Sequence, residues 1–113
     1  MTKLDQSLAR YVESLREHAA MVEGSATASA DEDEIAAFSH HVEVANGFVG
    51  VTKIAGQLRQ RGADIVRYEA RATVSAAWTV EYICVGTARQ IQMWRKYIYR
   101  LPEVTRIKVR KIL

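Results

Sequence analysis

The sequence predicts an α+β domain: an antiparallel sheet with connectivity βαββαβ, two helices on one face, and an extra amphipathic helix at the N-terminus. Three observations carry that prediction. Apolar residues recur at every second position over about 37–45, 64–74, 78–85 and 104–113, the period of half-buried strands. Two intervening segments, 49–61 and 87–101, instead repeat their apolar residues at helical spacing. Glycine, threonine and proline stand at the joints: Gly62 after the first of these helices, Gly86-Thr87 before the second, Pro102 at its end.

In chain order, Leu4, Leu8, Tyr11, Val12, Leu15, Ala19 and Val22 make an amphipathic helix over about 3–23, stopped by Gly24. Its stepwise spacing of four and three lasts under three heptads, too short for a coiled coil. The helix reads either as a cover for its own domain or as a docking helix. Residues 25–34 are small, polar and then acidic, a linker, so the division is 1–24 helix, 25–34 linker and 35–113 domain. Phe38, His40, Val42 and Val44 alternate with Ser39, His41, Glu43 and Ala45, a strand. Val51, Ile54, Ala55 and Leu58 line one face of the next helix, whose last turn carries Arg59 and Arg61 ahead of Gly62. Val66, Tyr68, Ala70, Ala72 and Val74 then alternate with Arg67, Glu69, Arg71 and Thr73. Ser75-Ala76-Ala77 turns the chain into Trp78, Val80, Tyr82 and Cys84, alternating with Thr79, Glu81, Ile83 and Val85; so short a connection predicts an antiparallel hairpin. Thr87 is the expected N-cap of a helix carrying Ile91, Trp94, Ile98 and Leu101. Thr105, Ile107 and Val109 alternate with Arg106, Lys108 and Arg110 in the last strand.

Composition sets bounds on function. The 113 residues suffice for one domain with a core plus a peripheral helix. No apolar run reaches the ~20 residues of a membrane span, no secretory leader is visible, and the single cysteine, Cys84, fits a reducing compartment. The expectation is a cytoplasmic protein without membrane contact. The net charge of +3 conceals a segregation: residues 1–34 hold eight acids against three bases, and residues 89–113 eight bases against Glu103 alone. Such a division marks either an anion-binding face or two ends that attract each other. His40 and His41 fall on opposite faces of a strand, and His41 with Glu43 is too few ligands for zinc. Cys84 sits in an apolar strand and reads as a small hydrophobe. With no Cys/His pair, no spaced carboxylate pair and no phosphate-binding motif, the sequence predicts no enzyme, no metal and no cofactor.

Strand, helix, strand, strand, helix, strand is the split βαβ, or ferredoxin-like, arrangement, which leaves one sheet face for solvent, the first helix, a second subunit or a ligand. Within it, residues 38–113 resemble an ACT domain, a small regulatory module. The resemblance rests on Val42-Glu43-Val44, Asn46 with Val49-Gly50-Val51 opening a helix, and Ile54-Ala55 with Leu58. It continues through Arg61-Gly62-Ala63-Asp64-Ile65 and closes on Leu101-Pro102-Glu103-Val104-Thr105-Arg106-Ile107. The Arg-Gly-x-x-Ile step and the closing pattern look most like the regulatory small subunit of acetolactate synthase. A second likeness is to the ACT domain of guanosine-tetraphosphate synthetases. Family members commonly place proline where Val49 precedes Gly50.

The resemblance implies a non-catalytic, allosteric module that senses an amino acid at an interface between two copies. The partners it implies are a second copy of the chain, a larger enzyme subunit and a small amino acid. The candidate ligand-binding residues are Asn46, Gly47, Phe48, Val49, Gly50, Val51, Asp64 and Ile65. Backbone N–H groups around Gly47, Gly50 and Val51, at a helix N-terminus, suit a carboxylate; the same glycines also suit a tight strand-to-helix turn. Two alternatives stand beside this reading. A nucleic-acid-binding domain would use the open sheet face and the basic last strand, but Trp78 and Tyr82 share the face of Val80, which leaves that surface without stacking aromatics. A purely structural assembly module would pair through the acidic helix and basic C-terminus.

Overall fold

In the computed structural model, which describes residues 3–23, 33–74 and 76–113, the chain runs α1 (Lys3–Glu23), β1 (Ala36–Val44), α2 (Val49–Gln60), β2 (Asp64–Ala72), β3 (Trp78–Gly86), α3 (Ala88–Tyr99) and β4 (Val104–Lys111). The strand order is β2-β3-β1-β4, with every neighbouring pair antiparallel. This is the expected ferredoxin-like fold. Of the expected linker, Asp33 and Glu34 are described; residues 25–32 lie outside the described residues, as do the stop at Gly24, Ser75 of the hairpin and the side chains of Leu4 and Val22.

Local chemistry sets each helix end. Gly62 adopts φ +72° and closes α2 by a Schellman motif: its N–H reaches Arg59 O (3.1 Å) and Ala63 N–H reaches Leu58 O (2.9 Å). Thr87 caps α3 in a reciprocal box: its hydroxyl accepts from the Gln90 N–H (3.2 Å), and its own N–H donates to Gln90 Oε1 (3.0 Å). Both helices then turn their apolar stripes toward the sheet. Val51, Ile54 and Leu58 of α2 and Ile91, Trp94 and Ile98 of α3 bury against Val42, Val44, Val80, Tyr82, Cys84 and Ile107. Each large side chain so buried contributes roughly 1.5–3 kcal/mol.

The opposite face is covered at one end by α1. Leu8 and Val12 are buried there on Ala37 and Val85, with Ile35, Val66, Ile83 and Ile112 around them. The Tyr11 hydroxyl donates to the Asp64 carboxylate, which pushes the phenol's pKa up. Arg16 Nε donates to Ile35 O (2.6 Å) and its guanidinium pairs with Glu34 (3.3 Å).

Two strand readings need correction. Val66 does not alternate with Tyr68 into the helix-side core. The β2–β3 register shifts between Ile65 and Arg67, and Val66 joins the cluster under α1. Likewise Thr105 is not a core residue: the β1–β4 register shifts between Glu43 and Val44, so Val104 turns inward while the Thr105 hydroxyl donates to Glu43 O (3.1 Å). The β2 irregularity sends Ile65 to the helix-side core and Val66 to the cluster under α1, whereas the β4 bulge lets Val104 and Ile107, three positions apart, face the same core.

Candidate functional site

The β1–α2 turn is built on two consecutive left-handed residues, Asn46 (φ +63°) and Gly47 (φ +79°), conformations that asparagine tolerates and glycine adopts freely. The Gly47 N–H donates to Ala76 O (2.8 Å), which ties this turn to the β2–β3 hairpin. That donor is therefore engaged. Phe48 stands at the N-cap of α2 and offers no side-chain cap, so the first N–H groups of the helix have no intrahelical acceptor. Phe48 and Val49 are exposed (53% and 54%), and the Phe48 ring meets Trp78 edge-on at 5.1 Å.

Beside the first turn of α2 lies a residue outside the expected set, Glu103. One carboxylate oxygen takes the Lys53 ammonium at 2.5 Å; the other, Oε1, is buried without a partner among the described residues. The hydrogen bond from Lys53 holds this carboxyl below the usual glutamate range, reinforced by Glu103's own backbone N–H. Gly50 is buried directly against it and against Val44. The signal in the sequence was that Glu103 is the one acid of residues 89–113.

Asp64 and Ile65 are not brought to this turn. Val44 pairs with Trp78 and Asp64 with Val85, so the two sets lie seven residues apart along β3, roughly 23 Å. The cause is α2 itself, which runs the length of the sheet before β2 begins. Asp64 accepts from Tyr11, and Ile65 packs against the main core.

Elsewhere the titratable groups are occupied by packing. His40 is buried and stacks on Tyr82 (centroids 4.5 Å apart), and burial drives its pKa down to about 4. Burial pushes the Cys84 thiol up to about 12, away from nucleophilic use. His41 faces the other way and meets Glu81 at 3.1 Å. Among the described residues no group of three His, Cys, Asp or Glu side chains could hold a metal, and no helix is long and apolar enough to cross a membrane. At and beyond the edge of α1 this sheet face is largely a charged grid, with no Phe, Tyr or Trp side chain among its described residues. Its cross-strand rows are Arg67-Ile83-Ser39-Arg110, Glu69-Glu81-His41-Lys108 and Arg71-Thr79-Glu43-Arg106.

No protein-family model matches the sequence, and no curated protein matches it. Solved structures share its fold. The ACT domain of GTP pyrophosphokinase from Chlorobium tepidum superposes with a TM-score of 0.61 at 8% identity, over 67% of this chain and 99% of that one. The C-terminal domain of the MgtC protein from Mycobacterium tuberculosis gives 0.60 at 9% identity, over 69% and 88%. An uncharacterized protein from Thermotoga maritima gives 0.60 at 11% identity, over 71% and 100%. At such identities the likeness is one of fold: this chain has the ferredoxin-like architecture that the ACT domain also has.

Proposed function

We propose that the chain is a non-catalytic regulatory module that dimerises and binds a small amino acid at the β1–α2 turn, near the interface between copies. The observation that carries this reading is the unpartnered Glu103 Oε1 beside the open N-terminus of α2. An amino acid is a zwitterion, and the turn offers the two complementary halves. Helix N–H groups and the positive end of the α2 dipole suit its carboxylate; the free glutamate oxygen suits its ammonium. Phe48, Val49 and Trp78 supply apolar surface for a side chain. Lys53, half-exposed, has to swing away for the ammonium to reach Glu103. Dimerisation has its own support: among the described residues β2 and β4 are the outer strands of the sheet, each with one unpaired edge. The resemblance to the acetolactate synthase regulatory subunit adds a larger enzyme subunit as the regulated partner.

A thermal-shift panel of the proteinogenic amino acids, followed by calorimetry, tests this. A true ligand at 100 times its dissociation constant adds about 2.7 kcal/mol of stability, and Glu103→Gln removes the response. Stabilisation by none of them sinks the proposal; a response unchanged in Glu103→Gln moves the ligand elsewhere.

A further inference from the structure

We infer that the outer face of the α2–α3 layer binds single-stranded nucleic acid. From 49 to 61 and from 88 to 100 the chain carries seven bases and no acid. Two of the seven are engaged, Lys53 by Glu103 and Arg89 by Asp33. Arg59, Arg61, Arg95, Lys96 and Arg100 have no carboxylate within ion-pair distance among the described residues. Five unneutralised cations on one layer repel one another, a cost that an extended polyanion removes. Four of the five are arginines, whose planar fork suits phosphate oxygens.

Aromatic side chains decide which polyanion. The Arg61 guanidinium lies 3.5 Å over the Tyr97 ring and Arg100 lies 5.6 Å from it, so cation–arene contacts are already built into this face. Tyr99 is 61% exposed and, with Gln92, Arg95 and Lys96, lines a shallow hollow of about 370 Å³. A base stacked on Tyr99 would place its phosphates beside Arg95 and Lys96. Stacking needs an unpaired base, hence a single strand rather than a duplex. An acidic peptide has no use for an exposed ring, and Met93 with Tyr99 is too little exposed apolar surface on α3 for insertion into a bilayer. The sheet face lacks stacking side chains, and the α2–α3 layer lies on the other side of the molecule.

The experiment is fluorescence anisotropy of a labelled oligouridylate with the full-length protein. With about five phosphates neutralised, affinity falls about 100-fold between about 50 and 200 mM salt. Arg95→Glu with Lys96→Glu abolishes binding. Arg95→Gln alone reduces the salt slope by about 0.7, a readout that survives any loss of stability in the double variant. Tyr99→Ala weakens binding about tenfold with the slope unchanged, as expected for a lost stack. Lys108→Glu with Arg110→Glu, on the sheet face, changes affinity by less than about threefold. No binding at low salt overturns the inference, as does equal loss on reversing charge in β4. It is also overturned if Tyr99→Ala has no effect while polyglutamate competes as well as oligouridylate, or if anionic vesicles bind and the oligonucleotide does not.

Discussion

A methyl group on Gly50 would stand 2.1 Å from Val44 Cγ1 and 2.9 Å from Glu103 Cβ, inside any real carbon–carbon contact. Alanine at a helix position gains up to ~1 kcal/mol over glycine from propensity, but overpacking costs about 1–3 kcal/mol and here also moves Glu103 away from Lys53. Gly50→Ala is therefore expected to destabilise, read as a lower urea midpoint; an unchanged midpoint would mean the junction is looser than these distances. His40 gives a second expectation. Its pKa drops from 6.5 in the unfolded chain to about 4 in the fold because burial penalises the imidazolium. The unfolded state thus takes up the proton first. The His40 contribution is constant above about pH 6.5 and is lost as pH falls toward 4, a loss of about 3 kcal/mol at ~1.4 kcal/mol per pH unit. His40→Phe keeps a ring on Tyr82 and should flatten the stability profile between pH 7 and 4.5. The Glu103 carboxyl, held low by Lys53, loses its own contribution only further into the acid range. A variant with the wild-type slope would assign that slope to other groups.

The elements differ in how much of them the sequence discloses. Helices α2 and α3 were legible down to their caps because Gly62 and Thr87 act through their own backbone and hydroxyl, and local chemistry is written locally. The strands were legible in number and order, but the inward turns of Val66 and Val104 were not. A bulge is chosen by which apolar surface is available on either side. For Val66 that surface belongs to α1, more than 40 residues earlier. Gly56 is a different case: it lies exposed within α2, and a Cβ there would meet nothing within 4 Å. The fold makes no steric use of this glycine, so Gly56→Ala should raise stability by about 0.5–1 kcal/mol through helix propensity and a less free unfolded chain. Chemical denaturation checks it directly, with Gly50→Ala as the opposite-signed partner in the same helix. If both variants shift stability the same way, local packing is not what separates them.

At the scale of the whole molecule, the order β2-β3-β1-β4 sends α2 and α3 to one face and leaves α1 to cover one end of the other. That architecture could be read from periodicities of two and 3.6. The site could be read only in part, because the turn at Asn46–Val51 is local whereas its association with Glu103 joins residues about 50 positions apart. The charge segregation was visible as well, but it divides between β4, which carries Arg106, Lys108, Arg110 and Lys111, and the helix layer, where the bases of α2 and α3 meet only in three dimensions. The same architecture makes the role of α1 testable. Leu8 and Val12 are buried on their own sheet, each worth at most ~3 kcal/mol. Deleting residues 1–33 should therefore cost a few kcal/mol and leave Ala37, Ile83, Val85 and Ile112 open to water. Apolar surface uncovered in this way drives self-association, so light scattering should report a larger mass for the shortened chain and dye binding should rise. Were α1 instead the bridge between copies, deletion would shrink the assembly to the monomer mass. The two mechanisms move the measured mass in opposite directions, and the cover formed by Leu8 and Val12 on the chain's own sheet calls for the increase.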